Sequence, residues 1–134
     1  MSVGIDRNTG RVLRGFAHVK QSLGVLFSTG IGSRILLRLF GSAIPSLLGK
    51  NIVPSTFLKF ATAIHVAVEL WEPRFRLIQV TFPRDTSADG STPATNSPER
   101  IRAGRIGVAL HGQYRPRGHL GDPTPEGSSQ TILF

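Results

Sequence analysis

A pair of carboxylates can act as the acid and base of glycoside hydrolysis, and Glu69 with Glu72 is the first pair this chain offers. Such pairs flank the scissile bond from two sides of a cleft, and neighbours three apart on one helical face cannot straddle a sugar. Both therefore read as ordinary charged residues near a helix end. Asp122 and Glu126 lie in a proline-rich tail where nothing fixes their geometry. The four histidines, His18, His65, His111 and His119, have no close metal-ligand spacing, and with no cysteine in the chain no thiolate can complete a set. No Gly-x-Ser-x-Gly elbow is present. Gly30-Ile31-Gly32 lacks the third glycine of a dinucleotide loop at Ile35, and Gly49-Lys50 lacks the upstream glycine and the following Ser/Thr of a phosphate loop. The sequence is thus read as that of a non-enzyme, with no catalytic residue, no metal ligand and no cofactor.

Trp71-Glu72-Pro73-Arg74 carries the most information of any four residues. A large aromatic ends a helix, a carboxylate and a guanidinium stand on either side of a rigid proline, and a strand begins at once. In isolation this is a helix stop with a local ion pair, worth at most about 1 kcal/mol if exposed. At an interface the same fork can lock a partner through paired, charge-assisted hydrogen bonds. The charge balance leans the same way, with 16 Lys+Arg against 8 Asp+Glu and a net charge of +8. Most of the cations are arginine, whose flat fork suits protein interfaces as well as phosphate. They are spread from Arg7 to Arg117 without forming one block, so a small basic nucleic-acid-binding module ranks behind a protein-binding one.

The elements that must position these residues follow from the apolar spacing. At 134 residues, 40% of them hydrophobic, one domain with a real core is expected. Residues 1–15, with an Asn8-Thr9-Gly10 turn signal, read as an extended arm or tight turn. Phe16, Val19, Leu23, Leu26 and Phe27 share one face of a first helix. Residues 31–48 are ambiguous, a strand or an irregular helix up to Gly41-Ser42, then a short helical turn from Ile44 closing on Gly49. The spacing of Phe57, Phe60, Ala61, Ile64, Val68 and Trp71 predicts the longest helix, with Ser55 as N-cap and Pro73 as the stop. Residues 74–82 are strand-like, with the alternation slipping between Leu77 and Ile78 as at a bulge. Residues 83–104 are polar and read as a long mobile loop. A second strand over 105–114 pairs antiparallel with the first, and 115–134 forms an extended tail in which a third strand is allowed. The fold class is α+β: a small antiparallel sheet packed with two to three helices. No signal-peptide core and no apolar run of about 18 residues is present, so no membrane partner is expected.

Several motifs, at the proper separations and in order, resemble the baseplate wedge proteins of contractile tails, the lysozyme-like wedge family. They are Gly4-Ile5-Asp6-Arg7-Asn8-Thr9-Gly10, Leu13-Arg14-Gly15, His18-Val19-Lys20-Gln21-Ser22, Gly32-Ser33-Arg34, Phe40-Gly41-Ser42, Trp71-Glu72-Pro73-Arg74, and the run from Gly112 through Tyr114, Arg115, Pro116, Arg117 and Asp122 to Glu126. The resemblance implies a small α+β subunit, made in the host cytoplasm, that sits in the baseplate of a phage, tailocin or secretion machine. It would join two copies of a larger wedge protein around the tube. It would also offer strands on which the first sheath ring adds, so the implied partners are larger wedge proteins, the tail sheath protein, and tail tube or hub proteins. The partner-binding candidates are Trp71, Glu72, Pro73, Arg74, Arg34, Tyr114, Arg115 and Arg117. Arg74→Ala is then expected to block co-assembly and leave the isolated fold soluble, and the extended tail, with Tyr114 and the apolar Ile132-Leu133-Phe134, is expected to donate a strand to a neighbour. The chain departs from the family pattern after Arg34, where Ile35, Leu36, Leu37 and Leu39 replace commonly arginine-rich positions and make that surface unusually apolar.

Overall fold

The computed structural model describes residues 3–83, 96, 98–103 and 106–134. At the N-terminus the residues read as an arm pair with each other: β1 (Val3–Ile5) and β2 (Val12–Arg14) form an antiparallel hairpin, Gly4 opposite Leu13. Asp6 makes the turn. Its carboxylate accepts from the Asn8 amide at 3.0 Å and from the Thr9 hydroxyl at 2.5 Å, and Gly10 supplies a positive φ of 70°. The Thr9 hydroxyl, with the Asn8 amide behind it, holds the Asp6 carboxyl below the usual carboxylate range. Gln21 then ties the hairpin to α1 (Phe16–Ser28), donating to the Ile5 carbonyl at 2.8 Å and accepting from the Arg7 amide at 3.0 Å.

The segment from residue 31 up to Gly41-Ser42, read as a strand or irregular helix, is neither and forms a loop. Its two ends meet in a single parallel bridge between Gly30 and Ser42, with Ser42 N–H donating to the Thr29 carbonyl at 2.9 Å. Gly41 permits this closure: its φ is 136°, and a Cβ there would stand 2.6 Å from the Thr29 oxygen. The short helical turn follows as α2 (Ile44–Leu47).

The longest helix is α3 (Pro54–Trp71), but Val53 and not Ser55 occupies the N-cap. Pro54 takes the first helical position, where its missing N–H is no loss, and this moves the start upstream. From the C-terminal end of α3 the chain turns into β3 (Phe75–Thr81), whose register with β4 (Ala109–Tyr114) shifts between Leu77 and Gln79, where the alternation slips. Between these strands the polar stretch read as a mobile loop over 83–104 holds a short helix, α4 (Pro98–Arg102), and a hydrogen-bonded Asn96, which corrects that reading there; its remainder, residues 84–95, 97 and 104, lies outside the described residues.

Beyond β4 the tail makes a 3-10 turn (Gly118–Leu120) and returns as β5 (Gln130–Leu133), antiparallel to β4. The strand expected to be donated to a neighbour is therefore spent inside the chain. The sheet order is β3-β4-β5. One face carries Phe75, Leu77, Leu110 and Ile132 onto Val19 and Leu23 of α1 and Ile64 and Val68 of α3, and these form the core. Gly112 belongs to this contact, because a Cβ there would stand 2.5 Å from the Phe75 ring.

Candidate functional site

The end of α3 brings together most of the candidate residues and shows what holds them. Glu72 ends the helix, its N–H donating to the Val68 carbonyl at 2.9 Å, and its side chain turns inward. There it meets Arg74 in a two-point fork, Nε to Oε1 at 2.6 Å and Nη2 to Oε2 at 2.8 Å. The Glu72 side chain is 2% exposed and that of Arg74 12%. A third contact joins Arg74 Nη1 to His18 Nδ1 on α1 at 3.1 Å. His18 in turn lies so close under β1 that any side chain at Gly4 would collide with its ring. The fork is thus an internal strut joining the end of α3, α1 and the hairpin.

Pro73 and Arg74 form the tight turn between Glu72 and β3, closed by Phe75 N–H on the Glu72 carbonyl at 3.1 Å. Arg115 N–H donates to the Arg74 carbonyl at 2.7 Å, extending the sheet by one rung, and Gly118 leaves no room for a Cβ against the Pro73 carbonyl. Tyr114 is buried edge-on against Phe16, and burial, helped by the Glu126 charge, pushes its hydroxyl above the ordinary tyrosine range. The Arg115 Nε is buried without a hydrogen-bond partner, while Arg117 is exposed beside Asp122 at 4.0 Å. Arg34 stands apart from this cluster. Its guanidinium stacks 4.6 Å over Phe40, whose ring meets Trp71 edge-on at 5.2 Å, so the stack pins the 31–39 loop to the end of α3.

Sequence reasoning missed three features. His18 is one scattered histidine until the fold sets it against Arg74, 56 residues away. Asn96 is a buried clamp: its amide donates to the carbonyls of Pro83 and Gly107 at 2.7 and 2.9 Å and accepts from Gly107 N–H at 2.8 Å. The outer face of the sheet carries a polar rung in which His111 joins Thr81 at 2.8 Å to Thr131 at 3.0 Å. A carboxylate pair for hydrolysis does not assemble at this helix end, since Glu69 is exposed and Glu72 is neutralised by Arg74.

The backbone at the sheet's edges completes the site. Val108 and Phe134 exchange both N–H···O bonds at 2.9 Å, which sets the alternation along β4 and β5. Ile132 and Gln130 therefore bond inward to β4, and the N–H and C=O groups of Thr131 and Leu133 point out of the sheet. Among the described residues no strand pairs with that side of β5. The outer side of β3 is likewise unpaired but is broken by its bulge.

The chain is thus a small α+β body with an open strand edge, a buried Glu–Arg fork and an exposed apolar loop. The chain belongs to the family of baseplate wedge protein gp25, whose model matches residues 14–106. It is a baseplate wedge protein of contractile tail systems. It is similar to baseplate protein W of Escherichia phage P2, 32% identical over 116 residues that cover 87% of each chain. Solved structures share the fold: the pyocin R2 baseplate after contraction (TM-score 0.61, 24% identity, 85% of this chain and 99% of that one). So does a protein of Geobacter sulfurreducens described as a tail lysozyme (TM-score 0.65, 20% identity, 92% of both chains). The baseplate of the anti-feeding prophage shares it as well (TM-score 0.52, 23% identity, 75% of this chain and 87% of that one).

Proposed function

We propose that this wedge subunit is not an enzyme, that it joins larger wedge proteins around the tail tube, and that it starts the sheath by accepting a strand from the first sheath subunits. The observation that carries the reading is the outer edge of β5. A regular, bulge-free edge with outward donors and acceptors at Thr131 and Leu133 is a template for β-augmentation. The interrupted edge of β3 is a poorer one. The surface near Trp71 and Arg34 faces the larger wedge proteins, and Arg117, exposed at the tail, adds a cation for an acidic neighbour. Glu72, Pro73, Arg74, Tyr114 and Arg115 act on partners by holding that surface in shape. The engagement of Glu72 by Arg74 supports the non-enzymatic part, because a carboxylate fixed in an ion pair is a poor general acid.

Leu133→Pro tests the sheath step. Proline there removes an outward N–H and no bond to β4, and edge strands tolerate it. The variant should fold, enter baseplates and fail to nucleate sheath polymerisation. Normal sheath growth on a folded Leu133→Pro baseplate would refute the edge assignment.

A further inference from the structure

The outer side of α3 repeats the apolar character of its buried side. Leu58, Val66 and Leu70 are 70%, 52% and 69% exposed and, with Thr62, lie in one row of four-residue spacing opposite buried Phe60 and Ile64. A helix apolar on both sides calls for a second cover. Alongside the row runs an open groove of about 520 Å3, whose other wall is made by Ile31 and Leu39 of the 31–39 loop. That loop is held in shape. Gly32 N–H donates to the Arg38 carbonyl at 2.7 Å, and the Arg34–Phe40–Trp71 stack fixes its base, so Ile35 and Leu36, 84% and 96% exposed, are presented at a fixed tip. From Leu58 to Leu70 the row is about 18 Å long, the length of about three helical turns.

The charge around the groove selects its occupant. Arg34 and Arg38 on the loop and Lys59 on α3 are exposed, and no Asp or Glu occurs between Asp6 and Glu69, the stretch from which nearly all the groove is built. A second copy would bring these cations against their own equivalents. We infer that the groove seats an amphipathic helix of a partner wedge protein, its apolar stripe flanked by Asp or Glu. The inference rests on the reading that larger wedge proteins dock near Trp71, and it names the chemistry they present there.

The probe is a designed helix of roughly 18 residues, a leucine stripe flanked by glutamate, with a lysine-flanked counterpart. The chain's one tryptophan, Trp71, lines the groove, so its fluorescence reports binding to the full chain. The glutamate helix should give a saturable shift that weakens with salt and at least about tenfold in Arg38→Glu/Lys59→Glu. Val66→Glu should abolish it, and Leu36→Ser, at a fully exposed tip, should weaken it without any effect on folding. The lysine helix should give no saturable shift. Equal binding of both helices, no binding of either, or an undisturbed response in the folded variants would overturn the inference. So would a dimer by light scattering whose formation silences the peptide response, or Trp71 responding only to vesicles of phosphatidylcholine and phosphatidylserine. Leu133→Pro should leave the peptide response intact, which keeps failure here separate from failure of the sheath reading. Peptide failure with Trp71-dependent baseplate assembly intact would sink only the helix-in-groove assignment.

Discussion

Replacing Arg74 by alanine would leave the Glu72 carboxylate 2% exposed and stripped of the two bonds that now neutralise it, Oε1 to Nε at 2.6 Å and Oε2 to Nη2 at 2.8 Å. The guanidinium is itself nearly buried, so solvent screens little of the loss. Breaking a buried pair from one side costs about 3–5 kcal/mol. A domain of this size has a total stability of about 5–15 kcal/mol, so the variant should lose roughly a fifth or more of it and melt on the order of 10–20 °C lower. Most of that penalty comes from the abandoned carboxylate and not from the bond itself. Glu72→Met/Arg74→Leu should therefore recover most of it. Urea unfolding followed by Trp71 fluorescence measures both variants. A single-variant loss below about 1 kcal/mol, or a double variant no better than the single, would refute the strut. The same measurement tests the expectation that Arg74→Ala leaves the isolated fold soluble, and any failure to assemble must be measured against the folded fraction.

Three further outcomes follow from the geometry. Tyr114 is the chain's one tyrosine, and its ionisation, read by phenolate absorbance, should lie above the free value of about 10. Its neutral form is favoured in the fold, so its contribution is complete below pH about 10 and is lost as pH rises through the folded value; Tyr114→Phe should remove that alkaline loss. Asn96→Ala should cost about 1–3 kcal/mol and raise hydrogen exchange at the Gly107 amide, which loses its acceptor; unchanged exchange there would count against the clamp. Gly118→Ala, by forcing a methyl onto the Pro73 carbonyl, should cost about 1–3 kcal/mol in the same unfolding assay, and a neutral result would show that the turn yields.

What the sequence made legible was whatever depends on local period. Val19, Leu23 and Leu26 in α1 and Phe60, Ile64 and Val68 in α3 follow the helical repeat because each helix buries one stripe against the sheet. The slip at Leu77 and Ile78 reads directly as the bulge. Strands of three residues are too short for alternation to register, so the β1–β2 pairing stayed hidden behind a turn signal that was read correctly. The 31–39 run has apolar content without period, and its loop form is imposed from outside by the Gly30–Ser42 bridge and by Phe40 against Trp71. The ion-pair potential of Glu72 and Arg74 was visible two residues apart, but its burial was not. That depends on His18 and Gly4 arriving from the far end of the chain.

The central claim concerns the outer edge of β5, and an electron cryo-microscopy map of the assembled particle at side-chain detail tests it most directly. The account predicts an added strand from a sheath subunit bonded to Thr131 and Leu133. A β5 edge open to solvent in a particle with a complete first sheath ring, or a sheath strand bonded to β3 instead, would contradict it.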